Sequence, residues 1–262
     1  MRRHLPVRGL TVLAFFASAC GKEVPIVEVQ GDCAMAFNSQ MCTWARMKGD
    51  SVVDAGVVVS VGSIEGAPAA PPMVWPPVAE VKLKLPAAAQ AQTGLTQLSL
   101  FWEAMGHPPV AFLTPHFDFH FYLVPPGEEM TYDCKDLSKP ALLPDSYVLP
   151  DVALPPEMAR MVGVGTLIGL CVQNMGMHSL PASEMERKDA FRGNMVIGYY
   201  GGKPIFIEPM VTKTMLMERK SFDFPIPTIP GLRTSYPRTF RAEYDETQQS
   251  YRFTFSGFAS GT

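Results

Sequence analysis

The sequence predicts an all-β fold, a sandwich or barrel-like domain of about eight to ten strands carrying one or two short helices. Three observations lead there. Proline makes up 25 of the 262 residues, about twice its usual ~5% share. Proline removes a backbone donor, so long helices are disfavoured and strands end early. Apolar and polar residues alternate with a period of two at 80–85, 116–122, 238–244 and 250–258, which sets one face of each segment against a core. Two turn signals, Gly201-Gly202 and the polar run 245–249, sit between such segments and read as hairpins.

The chain opens with Arg2, Arg3 and Arg8, an apolar stretch over 10–17, and Ala17-Ser18-Ala19 just before Cys20. This is the layout of a secretory signal peptide over residues 1–19, too short and wrongly flanked for a membrane span. Two cleavages fit it. Ordinary signal peptidase would cut after Ala-x-Ala, whereas a bacterial lipobox ending in Cys20-Gly21 would place lipid on the Cys20 thiol, although Ala17 stands where a lipobox usually has Leu. Cysteine parity favours lipidation: of five cysteines, setting Cys20 aside leaves Cys33, Cys42, Cys134 and Cys171, an even set suited to an oxidising compartment. The expected location is the bacterial cell envelope, with the lipid holding the chain to a membrane surface, or the exterior if no lipid is added. Among the three possible pairings, Cys33 with Cys42 would close a short loop, and Cys134 with Cys171 would staple a proline-rich excursion. Buried free thiols are the alternative.

Residues 20–50 read as a lipid tether and a small cysteine-bearing segment, and 51–262 as a single β-rich domain, a size at which one core suffices. Along that domain, 52–62 is a valine-rich strand and 66–77 a proline-rich loop. Strands follow at 80–85, at 97–103 and, after the turn at 106–109, at 116–124. The stretch 125–160 is an unusually long irregular connection, expected to be functional or disulfide-pinned. Next comes 162–172, apolar and glycine-broken, a buried strand or a short helix. Ser183 and Glu186 form a capping-box pattern that predicts a helix over 183–192. Strands 195–200 and 204–208 flank Gly201-Gly202, a second short helix is expected at 211–220, and 238–244 with 250–258 make the last hairpin.

His116-Phe117-Asp118-Phe119-His120-Phe121-Tyr122 is the segment that carries chemistry. As a strand it puts aromatics on one face and His116, Asp118 and His120 on the other. Two imidazoles and a carboxylate suit zinc or another divalent transition ion. Strand residues four apart are ~13 Å apart, so one ion can be shared by His116 with Asp118 or by Asp118 with His120, but hardly by both histidines. Completing ligands must come from elsewhere: His178 is the first candidate, Glu208 follows the apolar Ile205-Phe206-Ile207, and His107 and Glu184 are candidates for the surrounding shell. Met175-x-Met177-His178 raises copper as a second metal, since thioethers and imidazole suit Cu(I). The plain alternative is a buried His/Asp network that only fixes strand register.

Several classes are excluded. A formal charge of −3 leaves no electrostatic footprint for nucleic acid. Gly-x-Ser-x-Gly, His-Glu-x-x-His, phosphate-loop and EF-hand patterns are all missing, and the glycines at 163–169 fail the dinucleotide spacing, so no nucleotide is expected.

Gly106-His107-Pro108-Pro109, Pro115 to Tyr122, Gly176-Met177-His178 and the run from Gly202-Lys203 through Phe206 to Glu208-Pro209-Met210 together resemble a family of uncharacterised, mostly secreted bacterial proteins with a domain of unknown function. The resemblance covers roughly 50–220, and Ser179 stands where that family has Trp. It implies a β-rich fold and a ring-like homo-oligomer, and supplies no activity. The function expected is therefore an extracytoplasmic lipoprotein with a His/Asp divalent-metal site, capable of metal-assisted hydrolysis or hydration. The alternative is a non-catalytic envelope assembly or ligand-binding protein with a structural cluster.

Overall fold

The structure is a computed structural model that describes residues 24–72 and 74–260. The expected signal peptide and Cys20 lie outside the described residues. Ile26–Ala36 (β1), Ser39–Lys48 (β2) and Ser51–Ser60 (β3) run as an antiparallel meander. The expected tether is thus built into the domain from Ile26 onward. Cys33 and Cys42 sit directly opposite one another across β1 and β2 and are disulfide-bonded. The side chain of Ser60 accepts from the Gly62 N–H and starts a short helix, Val61–Gly66 (α1).

Val81–Lys84 (β4), Ala87–Thr93 (α2), Gln97–Glu103 (β5) and His116–Tyr122 (β6) follow. A long excursion then carries only Tyr147–Val148 (β7), Val152–Ala153 (β8), Pro156–Val162 (α3) and Thr166–Leu167 (β9). Met177–Pro181 (β10), Ala182–Met185 (α4), Gly193–Tyr200 (β11), Lys203–Thr212 (β12) and Lys213–Met217 (α5) come next. Phe222–Pro225 (β13), Ser235–Tyr236 (β14), Thr239–Asp245 (β15), Ser250–Ser256 (β16) and Ala259–Ser260 (β17) complete the chain.

Two antiparallel sheets result. One has the order β1-β2-β3-β16-β15-β13, the other β4-β5-β6-β12-β11-β10-β7. They pack face to face through aromatics: Phe119 meets Phe253 at 4.7 Å and Phe121 meets Phe255 at 4.6 Å between ring centroids. Val57, Val59 and Phe240 from one sheet and Ile197, Ile207 and Val211 from the other fill the same core. Each such side chain contributes about 1.5–3 kcal/mol by leaving water. Thr43 donates to the Lys84 carbonyl and Asp32 accepts from the Lys84 N–H, so β1 and β2 are tied to β4 at the edge where the sheets meet. The all-β sandwich is as the alternation indicates.

Details differ from expectation in ways that have physical causes. Seventeen strands are present among the described residues, thirteen of them in the two large sheets. The surplus is β1 and β2, which lack clean alternation, and two-residue pairings too short to show a period. Five α-helices are present among the described residues rather than one or two, all of seven residues or fewer, so they span too few turns to display an apolar stripe. The capping box does not form. Pro181 opens α4, Ser183 is already inside it, and Glu186 is at its C-cap. The 162–172 stretch is neither one strand nor one helix, because Gly163, Gly169 and Leu170 all take positive φ and turn the chain repeatedly. At Gly201-Gly202, φ values of 55° and 74° supply the tight turn joining β11 to β12.

The excursion between β6 and β10 folds over the outer face of the seven-stranded sheet. Leu154, Leu167 and Leu170 from it pack on Tyr122, Phe206 and Met210 of the sheet as a second apolar cluster. The Cys134–Cys171 disulfide pins this cover. Strand β6 is consequently buried on both faces along its whole length.

Candidate metal centre

The doubly covered position of β6 decides what its polar face becomes. His116, Asp118 and His120 point away from the main core, each 5% exposed or less. In the register, Glu103 of β5 lies opposite His116. On the other side β12 pairs Met210 with Asp118 and Ile207 with Phe121, which brings Glu208 alongside His120. Two strands further, His178 of β10 pairs with Gly198 of β11. Gly198 is what lets these strands communicate: a Cβ there would lie 2.1 Å from Cε1 of Phe206. The Phe206 ring occupies that gap, stacks on His120 at 4.3 Å and lies 5.1 Å from His178. His107 enters from the loop after β5, at a turn where Gly106 has φ 68°.

Six side chains gather as two groups. His107, His116 and Asp118 form one; His120, His178 and Glu208 form the other; within each, one potential ligand atom per residue lies within 4.8 Å of the rest. Nε2 of His116 is 3.3 Å from Oδ1 of Asp118, and Nε2 of His107 is 3.5 Å from its Oδ2. Nε2 of His120 is 3.5 Å from Oε2 of Glu208. The Glu208 carboxyl lies against that of Asp118, which joins the groups.

The outer ring nitrogens are spoken for. Nδ1 of His107 meets the Pro108 carbonyl at 2.8 Å, Nδ1 of His116 the Thr114 carbonyl at 2.6 Å, and Nδ1 of His178 the Leu170 carbonyl at 2.9 Å. A carbonyl can only accept, so these three Nδ1 atoms donate and each Nε2 faces the cluster. His120 places Nδ1 3.4 Å from the Tyr122 hydroxyl. Meanwhile Nε2 of His116, Oδ1 of Asp118 and Oε2 of Glu208 are buried with no hydrogen-bond partner. Buried polar atoms are nearly always satisfied, so three orphans in one place point to a missing cation or solvent.

Electrostatics sort the groups. Burial pushes His116 and His120 down to about 4 and, with the nearby His120 ring, His178 down to about 3. These imidazoles are neutral at pH 7. Burial opposes charge on His107 as well, but its contact with Asp118 and the field of Glu103 outweigh it and raise the ring to about 10. Asp118 is likewise held below the ordinary carboxylate range: burial raises it, and His116 and His107 overcome that. Glu208 goes the other way, raised well above its ordinary value by burial and by Asp118.

Above the groups is a cavity of about 100 Å³, walled by Trp75, Leu154, Met158, Leu167 and Met175 and floored by Glu103, His107, Asp118, His178 and Glu208. Glu103 was not singled out from the sequence, though its place at the end of a strand beside β6 is the signal that marks it. Burial first, then Asp118 and Glu208, lift it to about 7, against the pull of His107. Glu184 does not belong to the site: it is buried in α4 and held by Arg187 at 2.5 and 2.6 Å. Met175 reaches the cavity from the turn that precedes β10, whereas Met177, the first residue of that strand, faces the main core; Gly176 between them takes φ 103° and redirects the chain.

No protein-family model, curated protein or solved structure matches this chain. What stands on the geometry is a β domain with two disulfides and His/Asp/Glu groups that could hold a metal. Among the described residues no helix is long and apolar enough to cross a membrane.

Proposed function

We propose that this chain is an extracytoplasmic, lipid-anchored metal protein whose centre is the cluster on β6, β10 and β12, and that the metal is zinc. The observation that carries the reading is the spacing of the inner atoms. Two ligands bonded at ~2.1 Å to one tetrahedral ion stand about 3.4 Å apart; the inner nitrogen-to-carboxylate distances are 3.3 Å at His116 and 3.5 Å at His120. A plain charge-assisted hydrogen bond would close to ~2.7–2.9 Å. The Nδ1 donors on backbone carbonyls add the outer-shell orientation that metal-bound histidines need. With imidazoles as half or more of the ligands, copper is the second choice, and Met175 is the thioether that could reach it.

A bound divalent ion would supply Lewis acidity and a more acidic water. The chain's own residues add a cavity with largely apolar walls, and Glu103 facing it as a carboxyl able to take a proton near neutrality. Hydrolysis or hydration of a small substrate with an apolar flank is the chemistry these parts suit. The likeness to secreted bacterial proteins of unknown function, and with it the ring-like assembly, is part of this proposal. The rival is a non-catalytic envelope protein in which the cluster only braces the sheet.

Metal analysis of the exported protein, purified without a histidine tag, separates the two. At least one equivalent of a transition metal, removed by chelator with a loss of thermal stability that His178→Ala reproduces, is expected. Metal far below one equivalent, unchanged after incubation with zinc or copper, overturns the metal reading in favour of the rival.

A further inference from the structure

The cluster has a duplicated composition, and it deepens the metal reading on which it rests. Each group contains two imidazoles and one carboxylate, and each is compact within 4.8 Å. The groups are built from different parts of the fold. The first takes His107 from the loop after β5 and His116 and Asp118 from the start of β6. The second takes His120 from the end of β6, Glu208 from β12 and His178 from β10. Residues four apart on a strand are ~13 Å apart along it, so one ion with bonds of ~2.1 Å cannot collect both His116 and His120.

We propose that the cluster is a two-ion centre: His107, His116 and Asp118 hold one divalent transition-metal ion, and His120, His178 and Glu208 hold a second, with the Asp118 and Glu208 carboxyls side by side between them.

Three features support two ions over one. The unpartnered buried atoms are distributed over both groups, with Nε2 of His116 and Oδ1 of Asp118 in the first and Oε2 of Glu208 in the second. An ion in the first group alone would leave the Glu208 oxygen an orphan. Next, the Asp118 and Glu208 carboxyls lie against one another, so one of them keeps a proton unless positive charge lies beside both, and a second ion at Glu208 would take that proton's place. Finally, both groups floor the same cavity, His107 and Asp118 from one and His178 and Glu208 from the other, so a molecule entering it would face both ions. Imidazole-rich sets of this kind suit zinc, copper, iron or nickel rather than calcium, magnesium or manganese.

The test is stoichiometry, which needs no assay of activity. The exported, untagged protein is stripped with chelator, dialysed, and titrated with Zn²⁺ and separately with Co²⁺. Bound metal is then counted by elemental analysis and native mass spectrometry. Two equivalents per chain are expected, falling to one in His107→Ala and to one in His178→Ala. Two adjacent Co²⁺ ions should also couple magnetically and weaken the electron paramagnetic resonance signal per ion relative to either variant. A wild-type chain that saturates at one equivalent overturns the two-ion centre and leaves the single-metal reading standing. Saturation at none overturns both. The wild-type count decides the matter even if a variant fails to fold.

Discussion

Replacing Gly198 by alanine perturbs the centre without touching any proposed ligand. The added Cβ would sit 2.1, 2.2 and 2.3 Å from Cε1, Cδ1 and Cζ of Phe206. Carbon atoms pack no closer than ~3.5 Å, so the ring must retreat by about 1.4 Å. It has little space to do so, because its other face lies 4.3 Å from His120 and its edge faces Tyr122 and His178. Overpacking of this kind costs about 1–3 kcal/mol, or ~2–12 °C in melting temperature for a domain of this size. A shifted Phe206 also moves His120 and His178 relative to Glu208, and loss of such outer support lowers metal affinity by about 10–100-fold. Urea denaturation of the metal-free variant measures the first effect, and competition with a chromogenic chelator measures the second. The His107 group lies beyond this contact and should keep its affinity. A variant within ~0.5 kcal/mol of wild type, with unchanged metal binding in both groups, would refute the packing account of the site.

Acid should destabilise the metal-free protein. His116, His120 and His178 have folded values near 4, 4 and 3 against ~6.5 unfolded; the unfolded chain takes up the extra protons, so stability falls as pH drops from about 6.5 toward 4. Three groups have the opposite sign: His107, whose stabilisation is present below ~6.5 and lost as pH rises toward 10, and Glu103 and Glu208, which take up their protons in the folded chain before the unfolded one does; below ~6.5 His107 no longer changes, and three imidazoles outnumber two carboxyls. Melting temperature measured from pH 7.5 to 4.5 checks this, and a flat profile contradicts it. Removing the 37-residue staple by Cys134→Ser with Cys171→Ser should cost about 2–4 kcal/mol and weaken metal binding, because the neighbouring Leu170 carbonyl orients His178; unchanged affinity would uncouple the cover from the site. Cys20→Ser should release the protein from the membrane fraction or leave its precursor uncleaved, and an identical fractionation and N-terminus would mean ordinary secretion.

The legible parts of the fold were those with local periodicity. β6 and the C-terminal hairpin alternate, the hairpin between β11 and β12 carries the Gly201-Gly202 turn signal, and each forms where its signal puts it. β1 was not legible, because as a sheet edge it is largely exposed on both faces and selects no alternation. The capping box at Ser183 was a false signal, since Pro181 opens the helix two residues earlier. Within the site, residue types were readable from one strand, but grouping was not. Pairing His178 with His120, rather than with His116, depends on strand order, and Glu103 and Phe206 matter only through neighbours distant in sequence. Glu184 failed for the converse reason: a nearby arginine satisfies it locally.

The cover over β6 gives the cluster its chemical character. An antiparallel sheet commonly leaves one face in water, and His116, Asp118 and His120 on such a face would be solvated, ordinary and mobile. Here Leu154, Leu167 and Leu170 close over that face, and the same burial that suppresses protonation of three imidazoles leaves their inner nitrogens free to bind a cation at neutral pH. Each buried atom without a partner costs about 1–3 kcal/mol, so the orphans on His116, Asp118 and Glu208 make the metal-free fold less stable than an apolar packing of the same volume would be. A bound metal would reverse the sign, since it would occupy those atoms only in the folded chain and add its binding free energy to stability. A protein whose cover, disulfide and strand order all serve to bury unsatisfied ligands is therefore expected to gain most of its stability at this site only when the site is filled.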